Sequence, residues 1–572
     1  MTSITEEPTE RADLARFGYS QELHRRVGAF ASFAAGFSFV SILTTVFQLF
    51  FLGYGFGGAA FFWTWPIVFA GQLLVALNFS TLAARFPISG SIYQWSSRLA
   101  GSTFGWFTGW IMIIGQILTV AAAAIALQAV LPSIWTGFQM VGGSAANSSP
   151  STPTGAQNAV ILGVILLVVT TVINIVGIRL MTLVNSTGVV LELLGVIAII
   201  IALFSHTKRG VSVLVNTSGA APTPGSPYIW AFLASGLMAA YVMVGFDSAG
   251  ELSEETRSPR HIAPRTIIRA LVVSGIGGAL LLIAALMAAP SLTDGKLATV
   301  GMPYVVEAVF GNTAGRIMLV DVIIAICVCT LACQTSGSRM MFSMARQQAL
   351  PFHKVLSRVN PRTGTPIACS IVVGVGAVVA LVVNLPQTAV FTALSSLCIA
   401  MLYIGYLGVT GPLLLHRIRA ARGKPSEATA EGIDERGKKL FSLGKWGLPV
   451  TVIAVAYQVL AIINLAWPRS LVYDLTGHTW WLRWSAPLFI GGTLIIGYLV
   501  HLRLRGGTMT SPAPEVTKAG IQMFAVCAKN ESKGNNSAVK QQAKNSVFAE
   551  KFEQKSKQYL DELRRAALIE YK

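Results

Sequence analysis

The 572-residue chain is 53% hydrophobic and 12% charged, against about 25% charged in ordinary soluble domains, which excludes a water-soluble globular fold. Its formal net charge of +18 would suit a nucleic-acid binder. The Lys and Arg residues, however, fall in short stretches between apolar segments rather than on one face of a folded domain, so no nucleic-acid partner is expected.

The segment 1–28 is polar and mixed in charge, with no short apolar run leading to a small-residue cleavage site, so no cleaved signal peptide is expected. Beyond it, apolar stretches predict twelve transmembrane helices, near 29–52, 59–82, 103–131, 156–177, 183–204, 228–247, 266–289, 316–338, 367–384, 388–414, 447–466 and 485–502. Such stretches suffice to cross a hydrocarbon core of about 30 Å at about 1.5 Å per residue. The short alternating segments of barrel strands are not seen, so an all-α membrane protein is expected. Cys327, Cys329, Cys333, Cys369 and Cys398 lie inside apolar segments without disulfide or metal spacing and read as small buried hydrophobes.

Charge orients the bundle. With twelve spans, 26 basic residues fall on the amino-terminal side and 6 on the other, with 11 more in the tail. The positive-inside rule then places both termini in the cytoplasm of a plasma (inner) membrane. The loop 132–155 has no Lys or Arg, whereas 415–446 contains Arg417, Arg419, Arg422, Lys424, Arg436, Lys438, Lys439 and Lys445. That alternation fixes the register of the count. After the twelve-helix domain 29–506 the composition turns polar through 507–572, where Phe548, Phe552, Tyr559, Leu563 and Ala567 recur at the spacing of an amphipathic helix. The tail text "FAEKFEQKSKQYLDELRRAALIEYK" resembles the carboxyl end of periplasmic parvulin-type prolyl isomerases, as a fusion or assembly artefact would produce, and is assigned no function.

The ionisable groups inside the spans are Glu192, Asp247 and Asp321. All seven histidines lie in loops or at helix ends, which argues against an intramembrane enzyme, and no phosphate loop marks an ATP-driven pump. What remains is a carrier, with polar groups at bilayer depth and helices interrupted at corresponding places in two halves. The first span has Gly36, Phe37, Ser38 and Ser41 near its middle. The sixth has Tyr241, Val242, Met243, Val244, Gly245 and Asp247. A helix break frees backbone N–H and C=O groups that must find partners in hydrocarbon. Amino ends of half-helices favour an anionic group and exposed carbonyls favour an ammonium, a combination that matches a zwitterion. Close helix packing is the competing reading of Gly36 and Gly245.

A charge at the bilayer centre costs at least about 2.5 kcal/mol on insertion scales, so the carboxylates need reasons. Asp247 reads as a coupling group or a helix-end ion pair, Glu192 as a coupling group or a structural hydrogen-bond acceptor, and Asp321 as a group lining the outer entrance or snorkelling. If protons drive transport, Asp247 and then Glu192 are the candidates to load and release them.

Four segments carry a family likeness: "FPISGSIYQWSSRLAGSTFGWFTGW" at 86–110, "NIVGIRLMTLVN" at 174–185, "GFDSAGELSEETRSPRHIAPRTI" at 245–267 and "SRMMFSMARQQALPF" at 338–352. Together they resemble the amino acid/choline transporter family of the amino acid-polyamine-organocation permeases, over roughly 18–506. The resemblance implies a leucine-transporter-like core of two inverted five-helix repeats, at about 29–204 and 228–414, with extra helices at about 447–502. It also implies broken first and sixth helices, a substrate carboxylate at Gly36–Ser38, its amine at Tyr241–Gly245 with Tyr241 as aromatic gate, and a coupling role for Asp247.

In the eighth span Ala332, Thr335 and Ser336 have a spacing like that of sodium sites in this fold, although Thr and Ser also bond their own helix backbone. Gln347 departs from the family, which usually has Asp there, and the first helix lacks the Gly-Ser-Gly form of classical permeases. The loop 251–265 sets Glu251, Glu254 and Glu255 among Arg257, Arg260 and Arg265, as either a state-dependent set of ion pairs or a solvated turn. The expectation is a secondary transporter of an amino acid, GABA-like compound or amine, with no cofactor and with proton coupling favoured over sodium. An uncoupled exchanger is the alternative, and a channel a weaker one.

Overall fold

The computed structural model describes residue 14 and residues 17–143, 152–218, 220, 227–383, 390–430, 432–434, 437–469, 472 and 480–505. The tail 507–572, Arg436 and most of 1–16 lie outside the described residues. The chain divides into units 1–512 and 513–572, and the description concerns the first.

The helices, in order, are α1 (Ala29–Val40), α2 (Ile42–Gly57), α3 (Thr64–Arg85), α4 (Ser91–Ala100), α5 (Ser102–Ala124), α6 (Leu127–Ile134), α7 (Pro153–Val176), α8 (Ile178–Ser205), α9 (Tyr228–Val242), α10 (Ser248–Glu251), α11 (Pro259–Ala288), α12 (Met302–Arg346), α13 (Ile367–Val383), α14 (Val390–Ala421), α15 (Gly447–Ala466) and α16 (Ser485–Arg505). Among the described residues, extended pairing is limited to isolated bridges, Val27 with Thr256 and Ile433 with Lys439. The protein is an all-α membrane protein. Among the described residues, ten helices or helix pairs are long and apolar enough to cross a bilayer, and α9 and α13 are shorter apolar helices at the other two expected places. The 15 residues of α9 reach only about 22 Å at about 1.5 Å per residue, because this helix stops where the sixth apolar stretch breaks.

Several ends follow from local chemistry. Thr152 accepts from the Gly155 N–H at 3.1 Å and Pro153 takes the first helical position of α7, where its missing N–H costs nothing. Gly177, at φ 141°, separates α7 from α8. The 45-residue α12 bends at Gly311 (φ 73°) and runs past both ends of the apolar stretch 316–338, since its flanks carry polar residues that need not sit in hydrocarbon.

Burial distinguishes centre from periphery. In α1 the residues from Ala34 to Val40 are buried on every side, so this helix lies in the middle of the bundle. In α8 the buried residues Met181, Asn185, Gly188, Glu192, Val196, Ile199 and Leu203 form a single stripe, while Leu183, Leu194, Ile197 and Ile201 are more than half exposed, as a lipid-facing helix requires. Two glycines on the α8 stripe receive side chains from α12: a Cβ at Gly188 would lie 2.3 Å from Val328 Cγ2, and one at Gly195 1.6 Å from Asp321 Oδ2. The seven-residue spacing on both helices is two turns, so α8 and α12 pack antiparallel along a seam of small residues.

Candidate functional site

The first apolar stretch is broken at Ser41 (φ 35°, ψ 98°). Gly36, where a glycine-based break was expected, stays within α1, and a Cβ there would approach Ala270 Cβ at 3.1 Å and the Phe246 carbonyl at 3.5 Å. Gly36 thus lets α1 pack against the segment after α9. The break falls five residues later because partners for the freed backbone exist there. The Leu43 N–H, which would bond Phe39 O in a continuous helix, donates to Glu192 Oε1 at 3.1 Å. Phe39 O instead accepts from Cys329 Sγ at 3.6 Å. The Ser41 hydroxyl donates to Glu192 Oε1 at 2.8 Å and accepts from the Thr44 N–H at 3.4 Å. Glu192 of α8, 1% exposed, therefore caps the amino end of α2, where the dipole favours a negative group. Its Oε2 is buried without a hydrogen-bond partner. One turn earlier, the Ser38 hydroxyl is likewise buried and unpartnered.

The sixth stretch breaks as expected after Val242, with Gly245 at φ 89°. No other residue fits, because a Cβ there would lie 1.7 Å from Phe39 Cδ1. The two breaks therefore face each other through the Phe39 ring. The Gly245 N–H donates to the Tyr406 hydroxyl at 2.8 Å, and that hydroxyl donates to Asp247 Oδ1. Asp247 Oδ2 is buried without a partner. Ser248 Oγ donates to Ala35 O at 3.1 Å, tying the second break to α1. Tyr241 is 5% exposed. Met243 and Val244 are buried beside it.

On α12, Thr335 Oγ1 is engaged by Asn174 Oδ1 and Leu331 O, both at 2.8 Å. Ser336 Oγ accepts from Gln116 Nε2 at 3.2 Å, and Ala332 is buried beside them. Both hydroxyls are thus tied to side chains or backbone. Asp321 rests on Gly195, three residues along α8 from Glu192, with its Oδ2 unpartnered.

Beyond the breaks, the end of the bundle holding residues 17–27 is tied shut. Glu255 pairs with Arg339 at 3.0 Å, both side chains fully buried. Glu254 takes a two-pronged bond from Arg346, at 2.6 and 2.9 Å. Glu254 and Glu255 thus find arginines on α12 rather than the loop's own Arg257, Arg260 and Arg265. Glu251 accepts from Ser91 Oγ at 3.0 Å. The Arg346 guanidinium stacks 4.1 Å from the Tyr19 ring centroid, Gln21 donates to Glu254 O at 3.0 Å, and the Val27 N–H donates to Glu255 O at 2.9 Å. Gln347, the departure from the family pattern, bonds Tyr93 and Tyr19.

Tyr406 is the residue that sequence reasoning missed. Its signal was faint but present: Tyr403, Tyr406 and Thr410 repeat at helical spacing through an otherwise apolar stretch.

A family model described as amino acid permease matches residues 25–493. Amino-acid permease BAT1 of Arabidopsis thaliana is 28% identical over 517 residues, covering 84% of this chain and 92% of that protein. Its homolog in Oryza sativa subsp. japonica is 27% identical, covering 85% and 92%. Thiamine transporter thi9 of Schizosaccharomyces pombe is 25% identical, covering 83% of each. These relatives are named permeases and transporters, not enzymes. Broken helices meeting at the centre of an apolar bundle, with a family match over most of the length, lead to one conclusion: the chain belongs to the amino acid permease family.

Proposed function

We propose that this permease is a secondary active transporter that moves an amino acid or related amine by alternating access across the plasma (inner) membrane, with both termini cytoplasmic and with a proton as the coupling ion. The reading takes all twelve apolar helices as spans, in two inverted repeats (29–204 and 228–414) followed by the helices within 447–502. The observation that carries it is Glu192 on the amino end of α2.

An amino terminus within a bilayer is a natural seat for a solute carboxylate. Glu192 competes for that seat. Ionised, it holds the Leu43 N–H and the Ser41 hydroxyl; protonated, it has less to gain from either donor and leaves them to the solute. Loading a proton and loading a carboxylate then favour one another, which is the thermodynamic requirement of symport. The solute carboxylate sits at Ser41–Leu43, beside the free hydroxyl of Ser38 and the turn Gly36–Ser38 that precedes it. Its amine sits on the carbonyls of Tyr241–Gly245, under the Tyr241 ring. Asp247 is the second proton-carrying group, read through Tyr406.

Sodium at Ala332, Thr335 and Ser336 is the weaker reading, since Thr335 is already engaged by Asn174. Proteoliposome uptake of amino acids, GABA, choline and thiamine under imposed proton and sodium gradients tests the proposal. Saturable accumulation that follows the proton gradient supports it; flux that ignores both gradients returns the protein to an uncoupled exchanger.

A further inference from the structure

Two arginines at the end of the bundle that holds residues 17–27 are unexplained by the breaks. Arg85 closes α3 and is 4% exposed; Arg417, near the end of α14, is 8% exposed. Arg85 is largely satisfied: Nη1 donates to Thr81 O at 2.9 Å and Phe441 O at 3.1 Å, and Nη2 to Ala430 O at 2.5 Å. Glu427 adds a nearby negative charge. Among the described residues Arg417 has no such company. Its Nε and Nη2 are buried without an acceptor, and the charge acting on it is that of Arg85, of like sign.

A guanidinium cannot shed its proton at any physiological pH, so burial of an uncompensated one calls for an anion. Arginines placed only to orient a helix snorkel their heads into water, which buried Nε and Nη2 atoms do not do. The surroundings have matching chemistry. Nη1 of Arg417 presses on Gly447, where a Cβ would lie 1.5 Å away. Gly447 opens α15 directly behind the 3-10 turn Gly444–Trp446, and its own N–H donates to Gly444 O, so the guanidinium rather than the helix end is the open donor. Trp446 beside it is 65% exposed, as aromatic residues at headgroup level are.

We propose that Arg417, beside Arg85 where α14 meets the start of α15, forms a binding site for a phosphate group, carried by an anionic lipid headgroup or present as free phosphate. The forked donors of Arg417 match two phosphate oxygens, and the site joins α14 and α15 to the loop between them.

The test is thermal unfolding of the full chain in a maltoside detergent, titrated separately with short-chain phosphatidylglycerol and with inorganic phosphate. The midpoint is expected to rise with at least one of them. A response to phosphatidylglycerol alone assigns a headgroup; an equal response to inorganic phosphate assigns the free ion. In Arg417→Leu the apparent affinity is expected to fall about tenfold to a hundredfold, the worth of one or two charge-assisted bonds. Arg417→Lys, which keeps the charge and loses the fork, takes its place if the leucine variant does not fold, and is expected to fall between them. A wild-type midpoint indifferent to both anions overturns the site, as does a variant that responds like wild type.

Discussion

Neutralising Glu255 separates a gate from a binding residue. Its carboxylate and the Arg339 guanidinium are both fully buried, with Nε at 3.2 Å and Nη2 at 3.0 Å on the same Oε1. Removing one partner of such a pair leaves the other charge uncompensated, at about 3–5 kcal/mol. Glu255→Gln keeps an accepting Oε1 and the shape, so the loss is nearer about 2–3 kcal/mol. All of it falls on the conformation in which the segment after α10 meets α12, shifting the closed-to-open ratio at that end by about 30- to 150-fold. Initial uptake rates in proteoliposomes and equilibrium substrate binding in detergent are to be measured side by side. The rate is expected to change by about tenfold or more, with affinity within about threefold. The double variant Glu255→Gln/Arg339→Gln, with no charge left stranded, is expected to recover much of the rate. Equal loss of binding with an unaltered rate, or a double variant as impaired as the single, would refute the reasoning.

Further outcomes follow from the breaks. Asp247→Asn is expected to abolish gradient-driven accumulation while leaving exchange largely intact; unchanged accumulation removes Asp247 from coupling. Glu192→Gln keeps a side-chain acceptor but cannot ionise, so uptake should lose its dependence on an imposed proton gradient while substrate still binds. Gly245→Ala combines an unfavourable φ, worth about 1–2 kcal/mol, with overlap on Phe39, and is expected to lower the unfolding midpoint and abolish transport; a functional alanine variant would mean that this turn is not rigid. Thr335→Val removes the bond to Asn174, worth about 1 kcal/mol, and is expected to leave uptake equally independent of sodium, which parallel assays in sodium and choline chloride would check.

Much of the candidate site was legible because helix breaks advertise themselves. Gly245 could be read as a break or as a close-packing glycine, and the turn is there, at φ 89°. Gly36 looked equivalent and is not. A glycine permits a break without supplying partners for the freed backbone, whereas Ser41 provides a hydroxyl and stands opposite Glu192. The acids at 251–255 could be read as ion-pairing groups or as a solvated turn; Glu254 and Glu255 find partners more than eighty residues on, at Arg346 and Arg339.

The order of apolar and polar residues was therefore enough to determine that this is a helical membrane protein, where its helices run and which family it joins, because insertion into hydrocarbon is decided segment by segment by composition. Tertiary structure alone decided that Glu192 reaches the backbone at Leu43, that Tyr406 bridges Gly245 and Asp247, and that the buried Nε and Nη2 of Arg417 have no acceptor among the described residues. Those are pairings between helices far apart in the chain, and polar atoms in a medium without water take whichever partner the packing brings within reach.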